Sequence, residues 1–271
     1  MTEHFVFTQS LHSFKMKVFI SCIILCALSV PVASVGPDVV SVSVMEGDSV
    51  CLCTGLKYQQ ERIKWYFIDT RIAQINGDLN KTCTDVQCKD GDERFRDRLK
   101  LDHQTGSLII MNITNTDSGV YKLEINSRNT EIIFNVTVLA VSAELDKMKE
   151  MGESFSLDPG VIINPDNMLK WYFNIHITEI SGDQSKICSV DQCDERFGDR
   201  LKLDHQNGSL TILNSRTTDS GLYELQIMSR GFTIIRSFNV TVSGSGPSSG
   251  PITGVQCMLL LFSFVWLQLL V

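Results

Sequence analysis

Basic clusters are missing from this 271-residue chain, which carries 24 Lys and Arg against 31 Asp and Glu and a net charge of −7. With no block of like charge anywhere, there is no electrostatic footprint for a nucleic acid partner. Histidine is scarce as well, at five residues: His4, His12, His103, His176 and His205. The sequence contains no G-x-S-x-G, no H-E-x-x-H, no phosphate loop and no dinucleotide fingerprint. His103 and His205 recur in the same D-H-Q turn, which reads as shared loop chemistry. A non-enzymatic protein is therefore expected, with no catalytic residue, cofactor, metal or small-molecule substrate. Long apolar patterns of helical period are absent too, which points away from a helical body.

Apolar residues make up 43% of the chain, enough for one to three cores. Nine cysteines are many for a reducing compartment and favour an oxidising one. Both ends read as targeting segments. Residues 1–34 hold a basic start at Lys15 and Lys17, an apolar stretch from Val18 to Val30 and the small-residue exit Val32-Ala33-Ser34. That is the layout of a secretory signal, with Met16 as the working initiator. Residues 243–256 are rich in Gly, Ser and Pro, and residues 257–271 form an apolar tail with no Lys or Arg after Arg236. Small residues, a polar spacer and a terminal apolar tail are what attachment of a glycosylphosphatidylinositol (GPI) anchor requires. Gly244 is the expected attachment residue, with Ser243 and Ser248 as alternatives; a short transmembrane anchor is the competing reading. The body is expected outside the cell, on the plasma membrane.

The body is a duplication. Asp92–Arg128 aligns without gaps to Asp194–Arg230, with 26 identities in 37 positions. Upstream, I-K-W-Y-F around Trp65 matches L-K-W-Y-F around Trp171, and the pair Cys83/Cys88 matches Cys188/Cys193. The units are placed at 35–140 and 141–242, each long enough for its own core. Within each, short alternating segments are broken by Gly, Asn and Asp, as in Ile63-x-Trp65-x-Phe67, Leu108-x-Ile110 and Tyr121-x-Leu123-x-Ile125. This predicts an all-β sandwich. The recurring C-x4-C pairs are expected to form local disulfides, since a zinc site would need two more ligands nearby. Cys51 and Cys53 have no counterparts in the second unit. Their alternation with Val50 and Leu52 turns them away from the core, as free thiols or an intermolecular link. Five N-x-S/T sequons, at Asn80, Asn112, Asn135, Asn207 and Asn239, are expected to carry glycans.

Trp65 in K-W-Y-F, Leu108-x-Ile110 and Asp117-x-Gly119-x-Tyr121, repeated as Trp171, Leu210-x-Ile212 and Asp219-x-Gly221-x-Tyr223, resemble the C, E and F strand signatures of an immunoglobulin V-type domain. The resemblance implies two tandem immunoglobulin-like V-type sandwiches. It further implies core tryptophans, a tyrosine corner at Tyr121 and Tyr223, and the ion pairs Arg98–Asp117 and Arg200–Asp219. The sequence departs from that family where a cysteine normally follows the tyrosine by two residues. Leu123 and Leu225 stand there, and the strand B positions fall near Thr54 and Pro159, so the usual B–F disulfide is lacking. That departure, with Arg98–Ile125, resembles the distal domain of SLAM-type lymphocyte adhesion receptors and the layout of their GPI-anchored member. In that group the second domain is a shorter C2-type module, whereas here it is a second V-like copy.

By this resemblance the working surface is the outer face of strands G, F, C and C′ of unit one. It presents Lys64, Tyr66, Ile68, Lys122, Glu124, Glu131 and Ile133. The expected partner is a protein receptor on an apposed cell, of immunoglobulin type, or a second copy of the chain. A homophilic adhesion molecule outside immunity and a soluble or single-pass receptor are the alternatives.

Overall fold

The structure is a computed structural model that describes residues 38–55, 62–76, 82–84, 93–95, 97–102, 105–125, 130–140, 146–160, 167–173, 175–181, 184–187 and 197–244. Cys88, Cys188, Cys193, Asn80 and His103 lie outside these residues, as does the side chain of Cys83. Among the described residues no helix is long and apolar enough to cross a membrane.

Among the described residues unit one has nine strands: β1 (Asp38–Met45), β2 (Ser49–Leu52), β3 (Arg62–Phe67), β4 (Thr70–Asn76), β5 (Thr82–Thr84), β6 (Leu99–Leu101), β7 (Leu108–Ile110), β8 (Gly119–Ile125) and β9 (Thr130–Leu139). Unit two repeats them as β10 (Asp146–Glu150), β11 (Phe155–Leu157), β12 (Met168–Phe173), β13 (Ile175–Ser181), β14 (Gln184–Ile187), β15 (Leu201–Leu203), β16 (Leu210–Ile212), β17 (Gly221–Ser229) and β18 (Phe232–Ser243). One sheet of unit one runs β1-β9-β8-β3-β4-β5, with β1 parallel to β9. Its partner sheet holds β2, β7 and β6; in unit two the corresponding three strands are β11, β16 and β15. Period-2 alternation makes this packing unavoidable. Ile63, Trp65 and Phe67 of β3 and Tyr121, Leu123 and Ile125 of β8 are all buried, while the residues between them are half-buried.

The D-x-G-x-Y motif is explained residue by residue. Asp117 is fully buried and accepts both Arg98 Nη atoms, at 2.7 and 3.0 Å. Tyr121 Oη donates to the Asp117 carbonyl at 2.9 Å. Gly119 lies beneath the Phe67 ring, so a Cβ there would meet Cε2 at 2.9 Å. Unit two repeats the set, with Arg200–Asp219 at 2.7 Å, Tyr223 Oη to the Asp219 carbonyl at 2.9 Å, and Gly221 under Phe173. Each core tryptophan donates its indole N–H to a glycine carbonyl, Trp65 to Gly106 and Trp171 to Gly208.

Two expectations are corrected here. Strand β2 ends at Leu52, so Thr54 lies beyond it and β2 faces the core with Val50 and Leu52. In unit two Phe155 and Leu157 face the core and Pro159 lies past the strand. Cys51 and Cys53 do turn to the outer face, but both are buried there with Ile109, Met111 and Ile235, and Cys53 is disulfide-bonded. Neither is an exposed thiol available to a second molecule.

The units are also joined in a way the alternation did not reveal. The first residues of β18 pair antiparallel with β2, Phe232 opposite Leu52 and Ile235 opposite Ser49. The result is a continuous sheet from β14 of unit two to β6 of unit one.

Candidate functional site

Strands β9, β8, β3 and β4 occupy the positions G, F, C and C′; six of the seven candidate face residues, Lys64, Tyr66, Lys122, Glu124, Glu131 and Ile133, lie on them, whereas Ile68 falls in the β3–β4 turn. Tyr66 stands opposite Lys122, Lys64 opposite Glu124, Lys122 opposite Ile133 and Glu124 opposite Glu131. Antiparallel neighbours at these separations interact directly. Lys122 Nζ lies 3.0 Å from Glu124 and 3.5 Å from Glu131, and 4.9 Å from the centre of the Tyr66 ring. The lysine thus bridges two carboxylates and caps an aromatic face, holding Tyr66 in place.

The titration of the three groups reflects the same network. Partial burial raises the Tyr66 phenol, and the neighbouring Glu124 charge raises it further. Lys122 is raised chiefly by its hydrogen bond to Glu124. For Glu124, burial pushes the carboxyl up, but the hydrogen bond and charge of Lys122, with the Tyr66 hydroxyl, outweigh it and leave the group below its ordinary value. A lowered carboxylate stabilises the fold above its unfolded pKa and loses that contribution as pH falls through the folded pKa. The network is therefore intact at neutral pH; acid releases it by protonating Glu124, and strong base releases it by deprotonating Lys122.

Arg71 and Gln74 complete the face from β4, opposite Tyr66 and Lys64. Alternation alone could not assign them, because the β3–β4 register shifts between Trp65 and Tyr66. Ile68, in the β3–β4 turn, is 57% exposed and has φ +54°. A β-branched residue is strained in the left-handed region. Ile68→Asn is expected to raise the unfolding free energy by about 1 kcal/mol, because asparagine tolerates that conformation better. Chemical denaturation of the two proteins would measure the change.

The corresponding face of unit two is chemically different and buried along its β17–β18 side at Gln226 and Ile235, with Glu224 standing where unit one has Lys122. Lys170 and Tyr172 recur, with Lys170 3.4 Å from Glu179. By strand register, however, Gln226 replaces Glu124 and Ile235 replaces Glu131, and these are 4% and 2% exposed. Glu131 itself has a side chain 48% exposed. Of the sequons, Asn112, Asn135, Asn207 and Asn239 are all exposed, as attachment of a glycan requires. Among the described residues no group of three or more His, Cys, Asp or Glu side chains is placed to hold a metal.

The immunoglobulin V-set family model matches residues 38–142. The first unit is an immunoglobulin V-set domain. Domain two repeats its V-type sandwich strand for strand. Among solved structures, the first immunoglobulin-like domain of human CD48 antigen is similar at 20% identity, over 39% of this chain and 86% of that one, with TM-score 0.34. CD84, described in connection with SLAM family function, is similar at 16% identity over 36% and 96%, with TM-score 0.30. The CD2-binding domain of CD58 matches at 13% identity over 75% and 98%, with TM-score 0.32. No curated protein matches the chain.

Proposed function

We propose that the protein is a cell-surface adhesion or immune-receptor ligand that recognises another immunoglobulin-type receptor through the outer face of β9, β8, β3 and β4 of domain one. The observation that carries this reading is the contrast between the two copies. Domain one presents Tyr66 ringed by Lys64, Lys122, Glu124 and Glu131, while domain two has Glu224 in place of Lys122 and buries Gln226 and Ile235 in place of the two glutamates. A flat face of mixed charge without a metal cluster suits a protein partner, giving specificity and fast encounter more than raw affinity. The sequence likeness to SLAM-type receptors points the same way. Attachment by GPI at Gly244, the last described residue, would place both domains outside the cell, with Ser243 and Ser248 as the alternative sites.

The test is binding of the ectodomain, residues 35–242, presented as a multimer to a panel of cells and to itself. Multimers are needed because avidity raises weak contacts by about 10²–10⁴. The expected result is binding that falls about tenfold or more when Lys64, Tyr66 and Glu124 are together changed to alanine, the scale of a lost hot spot. Undiminished binding of the triple variant would reject the face. Self-association as the sole interaction would favour the homophilic alternative.

A further inference from the structure

We infer that the edge of β2 in domain one is a docking site for β18 of domain two in the same chain, specified by residues in which the two copies differ. Backbone pairing alone is not selective, since any open strand edge presents unpaired amides and carbonyls. Here the selectivity lies in the side chains on both surfaces of the junction.

On the core surface, Arg236 is fully buried and grips Asp48, Nε to Oδ1 at 2.9 Å and Nη2 to Oδ2 at 2.6 Å. By register, the domain-one equivalent of Arg236 is Ile132, a plain core residue. The domain-two equivalent of Asp48 is Glu153, which is exposed and caps its own turn at the Glu150 amide. An arginine in a sandwich interior is costly without a carboxylate, and the carboxylate is supplied only across the domain boundary. Asp48 caps its own turn too, at the Met45 amide, so what sets it apart from Glu153 is its burial and the added pair with Arg236, and Arg236 is the residue that makes sense only with its partner.

On the opposite surface, Ile235 of domain two packs with Cys51, Cys53, Ile109 and Met111 of domain one. Four of the five equivalents are polar at the corresponding places: Glu131 for Ile235, Ser156 and Asp158 for the cysteines, and Thr211 for Ile109; Met111 alone keeps an apolar counterpart, Leu213. An apolar outer surface is thus found where the junction needs it and not on the copy that lacks one. The backbone completes the seam, with the Cys53 amide donating to the Gly231 carbonyl at 2.8 Å. The junction holds the two domains together along the β18–β2 seam and takes the β18 edge of the domain-two outer face, at Ile235. This inference does not depend on what domain one binds.

Amide hydrogen exchange in the full-length protein tests it. Cys51 and Cys53 amides are expected to be protected at a level independent of protein concentration. Ile235→Glu, which restores the domain-one residue on the outer surface and leaves the core of domain two intact, is expected to lower that protection about 100-fold. Protection in the β17 core at Leu225 and Ile227 should stay unchanged. Arg236→Ile, which restores the residue found in domain one, is expected to give the same local loss. Wild-type protection at Cys51 and Cys53 in the Ile235→Glu protein would overturn the proposal. So would protection that rises with protein concentration, because the strand would then come from a second copy.

Discussion

Replacing Asp219 by alanine is expected to destabilise domain two by about 3–5 kcal/mol, the usual loss when one partner of a buried ion pair is removed. The carboxylate is fully buried and accepts two hydrogen bonds from Arg200 and one from the Arg216 amide. Its loss strands a guanidinium whose side chain is only 8% exposed and releases the turn that feeds β17. The same change at Asp117 should cost less, because Arg98 is 19% exposed and can reach water. Urea unfolding of the two variants, with the transition of each domain followed separately, measures the difference. Equal losses would show that Arg200 is rescued by solvent despite its burial.

Trp65→Ala is expected to cost about 3–5 kcal/mol, within the range for truncating a large buried aromatic. Trp65 is fully buried, packs 5.5 Å from Phe134 between ring centres, and donates to the Gly106 carbonyl at 2.9 Å. Alanine leaves a cavity and an orphaned carbonyl at the centre of the sandwich. In the usual V-type domain the tryptophan packs against the B–F disulfide. Here Leu123 and Leu52 fill that region with apolar contacts. Against total stabilities of about 5–15 kcal/mol for a domain, the variant loses a large fraction of its stability and should melt well below the parent. Trp65→Phe should lose much less. Circular dichroism melting of both variants checks the ranking.

Much of this architecture was legible from residue order. Alternation through Ile63, Trp65 and Phe67 and through Tyr121, Leu123 and Ile125 is a local property of the pleat, so it declared the strands of that sheet and which of their side chains face out. Family likeness carried the placement of Arg98, Asp117 and Tyr121, whose contacts span fewer than two dozen residues. Position along the strand was harder. Cys51 and Cys53 face outward as their alternation requires, yet their burial depends on a strand nearly two hundred residues later. Arg71 and Gln74 stayed hidden because the bulge at Trp65/Tyr66 offsets their register. The domain junction had a sequence signal of a different kind: Arg236 and Ile235 replace Ile132 and Glu131 in an otherwise conservative duplicate. Comparing the copies position by position, and asking which substitutions damage a solitary domain, would have exposed it.

The central claim is that one face, and only in domain one, makes the contact. Its most direct test pairs Tyr66→Ala/Lys122→Glu in domain one with Tyr172→Ala/Lys170→Glu in domain two, each in the multimerised ectodomain and each scored for cell binding at matched folding. The account predicts binding reduced about tenfold or more by the first variant, as for loss of a hot spot, and unchanged by the second. Equal loss in both, or loss confined to the domain-two variant, would contradict it.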